Sequence, residues 1–361
     1  MLLTKAKLAF LGKLTLFFAA TMMAVPAAFA ADQKDQEAYC RYITEQAAAQ
    51  RDLLRTPNAV AGVTQPNTGL PTQSVWGVSG SLSEVRKAGL TMDAARKECA
   101  LYAVTSSAQQ DIQYALPNLE KHALQHRLEL IQQAAASLEN LAVTTDKMLD
   151  AHNMTRPMAF ALQTTKIKLE ADQADTQSKV AGIYAPALSD KPLKELVADK
   201  QSSELSNQQA LAKLTRQNNW DVALSVGAHQ QVSPFAGNPA AYGEVTVSYN
   251  LASRAIDKHL DQAANAYGDW KQVQEGDVSR NADILKQQVT DQISVQDARL
   301  TALQAELKQI DSNLQTLGTA ETSTAMDFHN QLTTAQLLVK IEIGDASFRL
   351  DQLKEFLGRN F

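Results

Sequence analysis

Few residues of this 361-residue chain stand at spacings that do chemistry. His122 and His126 lie four apart in a helical stretch, a spacing that lets two imidazoles reach one metal ion. No third ligand accompanies them, and an exposed polar helix face is the commoner origin of such a pair. Phosphate-loop, nucleophile-elbow, HExxH and dinucleotide-binding glycine patterns are absent. The Asp and Glu residues are spread along helical stretches, as on a solvated face. The sequence therefore points away from an enzyme, and no cofactor is expected. The remaining candidates are two thiols, Cys40 and Cys99, whose chemistry depends on the compartment.

The first thirty residues set that compartment. Lys5, Lys7 and Lys13 precede an apolar run from Leu14 to Val25, and Ala28-Phe29-Ala30 forms a small-x-small cleavage site. This reads as an export signal over 1–30, with a mature chain from Ala31. The signal holds three Lys and no acid, so the mature chain carries 31 basic and 39 acidic residues, a net charge of −8. That balance argues against nucleic acid as a partner. No later apolar run approaches the roughly 20 residues of a membrane helix. The exported compartment is oxidising and permits a disulfide.

Two hairpins anchor the rest. Over 220–228, Trp220, Val222, Leu224, Val226 and Ala228 alternate with Asp221, Ala223, Ser225 and Gly227. After a Pro- and Gly-rich loop, Val245, Val247 and Tyr249 alternate with Glu244, Thr246 and Ser248. A period of two means a half-buried strand. A weaker copy occurs earlier, over 58–63 and 74–82, with Trp76, Val78, Gly80 and Leu82 on one face. A strand with one wet and one apolar face suits a membrane barrel. The flanks read as helices: 32–54, a long one over 91–150 with Pro117 inside, 158–180, 193–217, a second long one over 252–317 with Gly268 and Gly276 as weak points, and 324–357. The order short helix, hairpin, long helix, tip, return helix is thus given twice. We expect two repeats, 31–188 and 189–361, in a mainly α fold with β-hairpins. The two shorter helices of each repeat sum to nearly the length of its long one and are expected to lie alongside it. Helices this polar want neighbours, which argues for an oligomer.

This layout makes the thiols informative. Cys40 lies 18 residues before Asn58, and Cys99 lies 17 residues after Leu82. If the two strands pair, their helices leave side by side, and both cysteines reach nearly the same height. Adjacent helix axes lie about 8–10 Å apart, which can bring facing Cα atoms to the ~4.4–6.8 Å of a disulfide. Two unpaired thiols facing different neighbours are the alternative.

Glu244-Val-Thr-Val-Ser-Tyr249-Asn250-Leu251 and Leu317-Gly-Thr-Ala-Glu-Thr-Ser-Thr-Ala-Met-Asp327, followed by Leu332 and Ala335, resemble the TolC-type outer-membrane efflux and secretion channels. The first stretch is similar to that family's second barrel strand and its exit into the long helix. The second is similar to its tip turn and return helix. The resemblance implies a homotrimer whose three chains give four strands each to a twelve-stranded barrel, with a periplasmic helical tunnel below. It implies a passive conduit of a tripartite efflux or type I secretion system, with a periplasmic adaptor and an inner-membrane transporter as partners. It also implies tip turns at Met154, Thr155 and Arg156 and at Gly318, Thr319 and Ala320. Of an acidic pair that rings the family's tunnel mouth, only Asp327 is matched, because Thr324 holds the other position. A Tyr and an Arg that lock the closed mouth correspond here to Gln315 and Ala320, so a lock of that type is not carried over.

Trp76, Trp220 and Tyr249 are candidate anchors of a barrel at the membrane interface; simple packing on a neighbouring strand would explain the two Trp equally well. Two other functions stay open. One is a periplasmic coiled-coil adaptor or scaffold, although the lipoyl-like β domain of such adaptors is not found. The other is a channel relative that no longer transports, which the weak first hairpin would suit.

Overall fold

The computed structural model describes residues 33–64, 72–150, 156–232, 237–273, 277–318 and 322–361. The export stretch 1–30 lies outside these residues. In chain order the elements are α1 (Gln33–Arg55), β1 (Asn58–Thr64), β2 (Gln73–Ser81), α2 (Leu82–Asp150), α3 (Arg156–Gly182), α4 (Leu193–Arg216), β3 (Trp220–Gln231), β4 (Ala240–Tyr249), α5 (Ser253–Val273), α6 (Val278–Leu317) and α7 (Ser323–Asn360). The four strands form one antiparallel sheet in the order β1-β2-β3-β4. All four helix junctions therefore fall at one end of the sheet.

Two helix boundaries differ from the sequence reading. The long helix α2 starts at Leu82, not near Thr91, and runs for 69 residues, about 100 Å. Its start is fixed by Ser81, whose hydroxyl accepts the Glu84 amide at 3.2 Å, an N-cap bond. Gly89, a poor helix former, stands exposed in open space and leaves the helix unbroken. The second long helix is not continuous over 252–317. It is two helices, and Asp277 caps the second by accepting the Ser279 amide at 2.8 Å. That carboxylate is buried and takes the Lys200 ammonium of α4 at 2.8 Å. Of the two weak points read from the sequence, Gly276 adjoins this break, which a buried Asp held by another helix fixes.

The helix α2 is the axis of the molecule. It packs against α1, α3, α4 and α7. Against its first half lie α1 and α4, and α3 returns along its second half. The helix α4 docks on α2 more than on α5. The reason is apolar: Leu193 and Leu196 of α4 close a core with Ala108 and Ala115 of α2, Val289 of α6 and Leu353 of α7. A second, smaller core joins Ile131 and Leu138 of α2 to Leu169 of α3 and Ile341 of α7.

Between these cores sits a charged cluster. Asp345 of α7 is 2% exposed and faces Arg349 at 3.0 Å, Arg127 at 3.6 Å and Arg299 at 3.9 Å. Arg127 also reaches Glu342 at 2.8 Å and Asp172 at 2.9 Å. Burial alone would raise the Glu342 carboxyl, but the bonds and charges of Arg127 and Arg299 outweigh it and hold the group below its ordinary value. Four helices, α2, α3, α6 and α7, are tied at this level.

Cys40 of α1 and Cys99 of α2 form a disulfide with Cα atoms 5.0 Å apart. Beside it Tyr39 and Tyr102 stack at 4.0 Å. The hydroxyl of Tyr39 donates to Glu98 at 3.0 Å and that of Tyr102 to Asp35 at 2.6 Å. Burial, with the bond to Asp35, pushes the Tyr102 hydroxyl up to about 12.

Candidate functional site

The register of the sheet decides what each face carries. Residues paired across strands point to the same side. On one side stand Ala61 of β1, Trp76 and Val78 of β2, Trp220, Leu224 and Val226 of β3, and Val245, Val247 and Tyr249 of β4. These apolar side chains are exposed: Trp220 is 59% exposed, Val245 66% and Val247 61%. The other side carries Gln73 and Ser79, Asp221, Ser225 and His229, and Glu244, Thr246 and Ser248. The alternation along β2, β3 and β4 is thus in phase, with Val60 of β1, Val75 of β2 and Tyr242 of β4 as the larger apolar side chains on the polar side. Trp220 and Tyr249 pair at the foot with ring centroids 4.6 Å apart. Trp76 lies higher, opposite Ala228 and 41% exposed.

The foot is tied across the two hairpins. The Asp221 carboxylate accepts from the hydroxyls of Ser81 and Ser83, and these two hydroxyls lie 2.7 Å apart. This joins the exit of β2 to the entry of β3. The foot is also slanted. Trp220 faces Tyr249, Ser81 faces Ala223, and Asn58 stands through Ser79 opposite Ser225. From β4 to β1 it climbs five residues over three strand spacings. At ~3.3 Å per residue and ~4.8 Å per spacing, the four feet come to one height when the strands tilt by roughly 50°. Closed barrels tilt their strands by a similar ~35–45°. At that tilt the 12 residues of β3 rise about 25 Å, the height of an outer-membrane apolar band.

One cluster on the polar face was not read from the sequence. Gly77 and Gly227 face each other, and Tyr242 of β4 faces Gly227 from the other side. A Cβ on Gly227 would meet the Gly77 Cα at 2.8 Å and the Tyr242 ring at 2.9 Å. Such a glycine pair lets the strands curl toward the polar face, with the Tyr ring filling the space above. The signal was available as two glycines at matched positions in the two hairpins, but it needed the register. Gly227→Ala is expected to cost about 1–3 kcal/mol, because the obstructing atoms include backbone. Gly62→Ala meets nothing and is expected to stay within about 0.5 kcal/mol. Thermal melting of the two variants in detergent checks the contrast.

At the far end of the helices, α6 closes at Gly318, whose φ of 53° lies in the left-handed region that glycine adopts freely. Thr322 caps α7 by accepting the Ala325 amide at 3.3 Å. Asp327 sits half-buried one turn further on. Arg156 opens α3. Met154, Thr155, Thr319 and Ala320 lie outside the described residues. Of the two histidines, His126 stacks on Phe348 at 4.2 Å, and no group of metal-ligating side chains occurs among the described residues.

No protein-family model matches the chain, and no curated protein does. Solved structures similar to it include a membrane protein from Pseudomonas aeruginosa, with 13% identity over 90% of this chain and 89% of that one at a TM-score of 0.44. CusC, whose structures concern transmembrane channel formation, has 13% identity over 89% of both chains at 0.43. The outer membrane protein VceC from Vibrio cholerae has 14% identity over 90% of this chain and 92% of that one at 0.41.

Proposed function

We propose that this chain is one third of an outer-membrane conduit. Three copies close their sheets into a twelve-stranded barrel, and the two helical repeats, 31–188 and 189–361, continue it as a periplasmic tunnel. The observation that carries this reading is the two-faced sheet with both edges open. An apolar face this exposed asks for lipid, yet β1 and β4 have no further strand partner among the described residues. Lipid cannot satisfy an open strand edge, so a membrane sheet must close. The strands alternate in direction, so β4 of one copy meets β1 of the next antiparallel and the ring can complete itself. The polar face then lines water. The chain is not an enzyme. It is a passive channel of an efflux or type I secretion system, supplied by an inner-membrane transporter through a periplasmic adaptor.

Asp327, close to the tip, is then repeated three times at the tunnel mouth. Clustered carboxylates in a constriction attract cations and bind polyvalent ones. Single-channel recording in planar bilayers tests this. Wild type is expected to favour cations and to be blocked by trivalent cations from the tip side, and Asp327→Asn to lose most of both. Equal selectivity and block in the two proteins would remove the assignment. A non-transporting relative is the second reading, and its support is β1. At 7 residues, β1 is shorter than the ~9–11 of a spanning strand. Stable trimers without any conductance would favour it.

A further inference from the structure

The sheet is charged at one end only. In the nine residues of chain next to each of the four strand feet, the helix sides carry two basic residues apiece. These are Arg51 and Arg55 on α1, Arg86 and Lys87 on α2, Lys213 and Arg216 on α4, and Arg254 and Lys258 on α5. Only Asp52, Glu84 and Asp257 offset them, which leaves +5 in a mature chain of net −8. The segments joining strands at the opposite end, 65–72 and 232–239, hold no charged residue.

Three of the pairs are spaced three or four apart, so each lies on one helix face. Some of these charges are already engaged. Arg51 pairs with Asp52, Arg216 pairs with Asp257 and Asp261, and Lys87 stands within range of Asp221. Arg55, Arg86, Lys213 and Lys258 are exposed and form no ion pair or hydrogen bond among the described residues. Each lies within nine residues of its strand foot. Leu82 and Leu251, at the exits of β2 and β4, are 65% and 92% exposed. The basic residues therefore follow the strands directly in the chain, at the end of the sheet that carries the Trp220–Tyr249 pair.

We propose that this foot is a binding belt for anionic phospholipid headgroups, with Arg55, Arg86, Lys213 and Lys258 reaching the phosphodiesters of the leaflet on the helical side. The inference rests on the membrane-spanning reading of the sheet. Aromatic and basic residues at the edge of an apolar band seat it at the interface, and each Lys or Arg near an anionic surface adds roughly fivefold in affinity. The belt also fixes which end of the sheet faces which leaflet.

The test is insertion of the purified mature protein, diluted from detergent, into phosphatidylcholine vesicles with or without one third phosphatidylglycerol. Flotation reads the inserted fraction over time at low and at high salt. For wild type, phosphatidylglycerol is expected to speed insertion at least tenfold at low salt, and high salt to cancel the gain. The combined variant R55Q/R86Q/K213Q/K258Q is expected to lose the gain, whereas K168Q/K194Q/K308Q/K340Q keeps it. The belt is overturned if wild type inserts equally well into both vesicles, or if the first variant still responds to phosphatidylglycerol. Protein that enters neither vesicle overturns the membrane reading and the belt with it.

Discussion

Reduction of the Cys40–Cys99 bridge is expected to destabilise the protomer by about 4 kcal/mol and to release α1. The bridge closes a loop with a sequence separation of 59, and chain-entropy arguments give about 4 kcal/mol for a loop of that length. Little else holds α1 in place. Of its apolar side chains only Ala47 is buried among the described residues, and its tertiary packing is against α2. The Tyr39–Tyr102 stack and the bonds to Glu98 and Asp35 are partly exposed and contribute modestly. Once α1 is loose, β2 is the one strand of the same protomer that holds β1 among the described residues. The paired variant Cys40→Ser/Cys99→Ser, or the wild type in dithiothreitol, should melt at least several degrees lower. Trypsin should then cut α1 at Arg41, Arg51 and Arg55 faster than in the oxidised protein. Unchanged melting and equal protection would mean that packing alone holds α1.

Lys200→Met is expected to cost about 3–5 kcal/mol. Lys200 and Asp277 are each 7% exposed in their side chains and lie 2.8 Å apart, with Glu204 at 3.1 Å. Burial opposes the Lys200 charge, but its bonds to Asp277 and Glu204 keep the ammonium well protonated. Removing the cation takes the Lys200 charge away from two largely buried carboxylates, which keep hydrogen bonds from the Ser279 amide and the Tyr267 hydroxyl. Asp277 also caps α6, so the damage should spread to the joint between α5 and α6. The double change Lys200→Met/Asp277→Asn should recover part of the loss, since one of the two buried negative charges is then removed with the cation. Thermal melts of the four proteins measure the coupling. A surface-like loss below about 1 kcal/mol for Lys200→Met would show that water reaches the pair.

The hairpins were legible in the sequence because a period of two leaves its mark within five residues, and Val222, Val247 and Val78 fall where alternation puts them. The Cys40–Cys99 bridge was legible because two distances from paired strands fixed both heights. The break before Asp277 was legible only as a weak point at Gly276; the partner that holds its cap, Lys200, lies 77 positions away. The seat of α4 on α2 was hidden for the same reason: Leu193 and Leu196 look equally able to face α5. The Gly77–Gly227 contact is invisible until register is known, since each glycine alone reads as a weak point in its strand. Asp327 was reached through resemblance, and no local pattern near it names a role.

Sedimentation of the mature protein with and without detergent tests the membrane conduit most directly. A sheet with this exposed apolar face should hold three chains in one detergent-bound particle and should aggregate when detergent is removed. A monodisperse single chain in plain buffer would contradict it.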